Sequence, residues 1–138
     1  MEVRRWISVA MSLAAAALLL TTVPVVAHHS SAAAYDNTKK VEHQGTVTKV
    51  LLKNPHGFVY LDSTDEKGQK IEVVIEMGGA TGMVRQGWTK DTLPIGSVVK
   101  VSGIPSRAPG SHGITEAKFT APDGTPIAPT PRPEYTDR

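Results

Sequence analysis

The sequence predicts a mainly β domain, a small five-stranded barrel with one short helix between its third and fourth strands. Three observations carry that reading. Five segments rich in β-branched residues and bounded by turn chemistry occupy residues 41–121. Between the third and fourth of them, Gly78–Trp88 lacks β alternation and carries Gly87 near its end, placed to stop a helix. The flanks, residues 28–40 and 122–138, carry no sustained period, and the second holds five prolines, at 122, 126, 129, 131 and 133.

Taken in order, Glu42–Lys53 (EHQGTVTKVLLK) reads as a long strand whose alternation breaks at Val50-Leu51-Leu52, which predicts a bend or bulge there. Asn54-Pro55-His56-Gly57 supplies Asn at i, Pro at i+1 and Gly at i+3, the residues of a type I turn. A hairpin then returns through Phe58–Ser63. A polar turn at Asp65–Gly68 leads into Lys70–Glu76, where Ile71, Val73 and Ile75 share one face. Thr81 is placed to cap a short helix through Met83, Val84, Arg85 and Gln86. Gly87 is placed to end it in a left-handed conformation, so that Trp88 folds back as a core anchor. After the Leu93-Pro94-Ile95-Gly96 turn, Ser97–Ile104 and Gly113–Phe119 complete the set. Three strands, a helix and two strands is the order of an oligonucleotide/oligosaccharide-binding (OB) barrel. An open β-sandwich or meander would use the same elements.

Residues 1–27 have the three-part layout of a secretory signal peptide: Arg4 and Arg5, an apolar run from Ile7 to Leu20, and Val25-Val26-Ala27. A retained anchor is the rival, since the apolar stretch approaches the roughly 20 residues that span a bilayer, but Pro24 followed by Val-Val-Ala is peptidase-like and a His- and Ser-rich stretch follows directly. The reading is therefore cleavage near Ala27 and a soluble periplasmic or secreted protein with no stable membrane anchor. Its organisation is an extended arm at 28–40, a barrel at 41–121 and a disordered proline-rich tail at 122–138. Without the leader the chain keeps 13 basic and 12 acidic residues, too balanced for nucleic acid or anionic lipid as a partner. There is no cysteine, hence no disulfide, thiol nucleophile or thiolate metal site.

His-His-Ser directly after the leader, GTVTKV in the first strand, the NPH turn, RQGW at the helix end and GSVVKVSG in the fourth strand together resemble a family of small exported bacterial proteins with no established activity. The likeness runs through nearly all of the mature chain up to Gly124. Members commonly carry an aromatic residue in the third strand and a second basic residue before the Gly-Trp pair; here Val73 or Val74, and Gln86, stand at those places. More distantly, the chain is similar to periplasmic OB-fold binding modules. The resemblance implies an exported single domain and supplies no activity.

The sequence holds five histidines, His28, His29, His43, His56 and His112, and the chemistry rests on four of them, His28, His29, His56 and His112. If His28 is the mature terminus, its α-amine and ring Nδ1 form one chelate, and a second imidazole completes a T-shaped set of three nitrogens. Such a set favours Cu(II) and resembles the histidine brace of copper oxygenases and of some periplasmic copper-binding proteins. His56 and His112 are the donors that the fold could bring to it; His29 offers a route that needs no fold. Neutral imidazole also suits Zn(II). Asp62, Asp65 and Glu66 match no established calcium loop, and Ser30 and Ser31 lack a nucleophile elbow. Glu76, beside Gly78-Gly79 and ahead of Arg85, reads as a surface ion pair at a cleft. The expectation is a binding or accessory protein rather than an enzyme, with Cu(II) as its ligand, or else a metal-free module for an envelope protein or a small ligand.

Overall fold

The computed structural model describes residues 31–127 and residue 129. The leader, His28 and His29 lie outside the described residues. In chain order the elements are α1 (Ser31–Ala34), β1 (Val41–Leu51), β2 (Phe58–Thr64), β3 (Lys70–Glu76), α2 (Ala80–Arg85), β4 (Val98–Pro105), β5 (Gly113–Thr120) and β6 (Pro126–Ile127).

Antiparallel pairings join β1 to β2, β2 to β3, β1 to β4 and β4 to β5. A parallel pairing of β3 with β5, Val74 to Gly113 and Ile75 to Ile114, closes these strands into a barrel. With α2 between β3 and β4, the architecture is the expected OB-like barrel and not an open sandwich.

The core follows from strand alternation. Val47, Val59, Leu61, Val73, Ile75, Val99, Val101, Ile114 and Phe119 point inward and are almost fully buried, and Leu93 joins them from the segment after α2. β-Branched residues suit such a surface because their restricted χ1 loses little on packing. Ile71 shares the face of Val73 and Ile75 but is only half-buried. The bulge in β1 falls between Val47 and Lys49, upstream of the Val50–Leu52 break expected from the sequence.

α2 ends as its sequence dictates. Gly87 sits at φ 90°, its N–H reaches the Val84 carbonyl at 3.0 Å, and the Trp88 N–H reaches the Met83 carbonyl at 3.0 Å. These two bonds form a Schellman motif. The reversal sets Trp88 edge-on to Phe119, with centroids 6.1 Å apart, while Met83 is buried beneath the helix.

The described parts of both flanks, residues 31–40 and 122–127, carry regular contacts with the barrel. The arm contains the helical turn α1, and Tyr35 bridges to Ser106 beyond the end of β4. In the proline-rich tail, Ala121 and Thr125 close a turn at 2.8 Å with Gly124 at φ 90°, and β6 returns along β5. Proline at 126 is tolerated because β6 is an edge strand.

The β4–β5 register shifts between Ser102 and Ile104. Gly103 faces the extra residue of a bulge in β5, where Glu116 adopts φ 50°. A Cβ at Gly103 would lie 2.6 Å from the Thr115 carbonyl oxygen and collide with the Ile114 side chain. Gly103→Ala is therefore expected to cost about 2 kcal/mol or more through overpacking. Glu116→Gly, which relieves the left-handed backbone, should hold or raise stability by up to about 1 kcal/mol. Urea unfolding of both variants checks the pair, and equal losses would contradict the bulge geometry.

Candidate functional site

The loop between β1 and β2 is bolted to the start of α2. The Gly57 N–H donates to the Gly78 carbonyl at 3.0 Å, the Met77 N–H to the Gly57 carbonyl at 2.9 Å, and the Ala80 N–H to the Lys53 carbonyl at 3.0 Å. The Asn54–Pro55 bond is cis. Because the Gly57 N–H goes to Gly78, the segment lacks the closing hydrogen bond from Gly57 to Asn54 of the type I turn expected from its composition. Asn54 instead caps α2 from outside: its Oδ1 accepts from the Thr81 N–H at 3.4 Å, and its Nδ2 donates to Thr81 Oγ1 at 3.2 Å. The helix N-cap is Gly79, which has no side chain to do so, and Thr81 is not the cap. Gly79 is needed there, since a Cβ would lie 2.7 Å from the Pro55 carbonyl oxygen.

His56 leaves that anchored base, and its Nδ1 lies 3.1 Å from Glu76 Oε1 at the end of β3. With Nδ1 donating to the carboxylate, the Nε2 lone pair points elsewhere. The other oxygen of Glu76 accepts the Tyr35 hydroxyl at 2.5 Å. Glu76 is thus the hinge of a Tyr35–Glu76–His56 chain. Arg85, placed opposite it by the sequence reading, takes part in none of the ion pairs among the described residues. Burial, and next the hydrogen bond and charge of Glu76, raise the Tyr35 phenol well above its ordinary value, so it remains a donor.

Arg107 holds the arm down. Its Nε donates at 3.0 Å to the carbonyls of Ala32 and Tyr35, its backbone N–H donates to Ala34 at 2.8 Å, and its Nη2 is 3.4 Å from Asp36 Oδ1. The Asp36 carboxyl is held below its usual range, chiefly by the Thr38 hydroxyl. A cleft of about 1120 Å³ opens between arm, loop and β5, bordered by Ala34, Tyr35, His56, Glu76, Trp88 and Thr115. Apolar walls with a few convergent polar groups are the usual make-up of a ligand site.

Of the histidines singled out in the sequence, His56 lines this cleft, and His28 and His29 lie outside the described residues. His112 does not line it. Its ring meets His43, centroids 6.1 Å apart and planes at 81°. Among the described residues, no three of His, Asp or Glu converge as a metal-holding group. Asp65 serves its own turn, accepting from the Lys67 and Gln69 N–H groups at 2.9 and 2.8 Å. Sequence reasoning passed over Tyr35 and His43. Tyr35 has no local signal; His43 has one, a polar residue on the more buried alternating row Val41, His43, Gly45, Val47.

Burial, and secondarily the nearby His112, hold His43 below the ordinary imidazole value. The folded chain therefore binds that proton less readily than the unfolded chain. The resulting stability is intact above about pH 6.5 and is lost as pH falls from there toward the folded value. His43→Asn should flatten this part of the stability–pH profile, and an unchanged slope would contradict the burial. Asn54→Ala is expected to cost about 1 kcal/mol as a lost cap and to broaden the His56 ring resonances in NMR spectra. Sharp, unshifted resonances would show that the loop does not depend on Asn54.

No curated protein and no solved structure matches the chain. A family model does match, over residues 15–116, which include the arm, the anchored loop, His56, Glu76, Arg107 and Trp88. The chain belongs to that family, the Family of unknown function (DUF6152).

Proposed function

We propose that this chain is an exported, non-catalytic binding protein that captures Cu(II) at the mouth of the cleft, between His56 and the nitrogens of His28 and His29. One observation carries the reading: His56 gives its Nδ1 to Glu76 and leaves Nε2 without a partner among the described residues. A carboxylate behind an imidazole is the arrangement that orients metal-ligating histidines and raises their basicity. The fastened arm supports it, because only one residue separates His29 from α1, and each residue spans at most about 3.6 Å. The α-amine of a cleaved His28 and two imidazoles would make a nitrogen-rich, tetragonal set suited to Cu(II). The same ligands without thiolate also accept Zn(II), with lower affinity in the divalent series.

A second reading is favoured by the size and walls of the cleft. Ala33, Ala34, Met77 and Trp88 line a space of about 1120 Å³, far larger than an ion. A metal-free module would use it for a small organic ligand or a segment of an envelope protein.

Electron paramagnetic resonance of Cu(II) added to protein matured in a bacterial envelope separates these readings. One equivalent should give a tetragonal, nitrogen-rich signal, altered by one extra alanine ahead of His28. His56→Ala should weaken binding at least about tenfold, and Glu76→Gln by about 10- to 100-fold, as removal of an orienting carboxylate does. Unchanged affinity in all three proteins would overturn copper capture. A change in Trp88 emission on adding envelope small molecules, persisting with a chelator present, would establish the metal-free reading instead.

A further inference from the structure

We infer that His43 and His112 form a clamp for a borderline divalent ion such as Zn(II) or Ni(II), separate from the cleft and tying β1 to the segment that closes the barrel. His43 stands in the half-buried, inward row of β1, opposite Val101 of β4. His112 ends the β4–β5 loop, and its carbonyl accepts the Val74 N–H at 3.4 Å beside the β3–β5 closure. The rings meet edge to face at 6.1 Å, both half-buried.

Neither imidazole has a hydrogen-bond or ion-pair partner among the described side chains, in contrast with His56 on Glu76. Each neutral imidazole carries one donor nitrogen and one lone pair. A metal takes the neutral ring through its lone pair, and no ion pair or hydrogen bond among the described side chains competes for the nitrogens of either ring. On one tetrahedral ion, with N–metal distances of about 2.0–2.1 Å, two ring centroids stand about 5 Å apart. The observed 6.1 Å is close to that spacing, so rotation of the two side chains about their χ angles would bring them onto one ion. All-imidazole ligation with water in the open positions suits Zn(II), Ni(II) or Cu(II) and disfavours Ca(II) and Mg(II), which take oxygen ligands.

The clamp has a structural consequence. β1 is hydrogen-bonded to β2 and β4, while β5 pairs with β3, β4 and β6. An ion between His43 and His112 would cross-link segments that the sheet itself leaves unpaired, next to a closure of two registered residue pairs.

The test uses the His56→Ala chain as background, which removes the fold's donor from the cleft and separates this site from copper capture there. Zn(II) at about a hundred times its dissociation constant should raise the folding equilibrium constant by about a hundredfold. The rise should vanish when His43→Asn or His112→Asn is added. In NMR spectra of the His56→Ala chain, Zn(II) should shift the ring resonances of His43 and His112 together, a readout that survives if a double variant fails to fold. Stabilisation that persists in both double variants, or ring resonances of His43 and His112 that Zn(II) leaves unmoved, would overturn the clamp.

Discussion

Closure of the barrel by a short parallel pairing is the constraint on which the rest of the structure depends. β3 and β5 meet through Val74–Gly113 and Ile75–Ile114 alone. To reach that position and also run antiparallel to β4, β5 bulges opposite Gly103, the one place where the facing strand has no side chain to obstruct it. The same closure brings Thr115 against the end of β3, where Glu76 stands, and this juncture becomes the floor of the cleft. It also draws His112 to the seam through its carbonyl. The two side-chain groupings of interest are thus by-products of one topological requirement.

Around that seam, backbone contacts do the positioning and side chains supply the chemistry. The β1–β2 loop is held by three backbone hydrogen bonds and by Asn54 on Thr81, so His56 projects from a base that does not rely on its own packing. Arg107 performs the equivalent task for the arm by gathering carbonyls of Ala32 and Tyr35. Guanidinium suits this task, since it presents several fixed donors and stays charged. Glu76, partly screened from solvent, then satisfies one donor from each side. The histidines consequently live in two environments: His56 is oriented by a carboxylate, whereas His43 and His112 face one another without an acidic partner. The first arrangement directs one free nitrogen outward; the second leaves two rings to share whatever comes between them.

The fold was largely legible because its signals are local. Ile71, Val73 and Ile75 alternate, Gly87 sits one residue past the helix C-cap, and the helix falls between the third and fourth strands, each a pattern within a few residues. The failures have local causes too. Asn54-Pro55-His56-Gly57 has the composition of a type I turn, but the Gly57 N–H finds a better partner in Gly78. Thr81 looks like a cap, yet Gly79 begins the helix because the Pro55 carbonyl leaves no room for a Cβ there. The arm and the first residues of the proline-rich tail carry no sign of order in the sequence because their partners, Arg107 and the edge of β5, are distant in sequence or invisible to periodicity.

By itself, the sequence determined the strand-rich barrel class, the place of the helix and the place of the connection between β1 and β2. Those properties follow from propensity, alternation and backbone conformation, which act over short stretches. Tertiary structure alone decided that Tyr35, 41 residues from Glu76, would share its carboxylate with His56. It alone decided that His112 would turn to His43 rather than to the cleft. Convergence of that kind depends on strand register and barrel closure, and neither leaves a periodic trace along the chain.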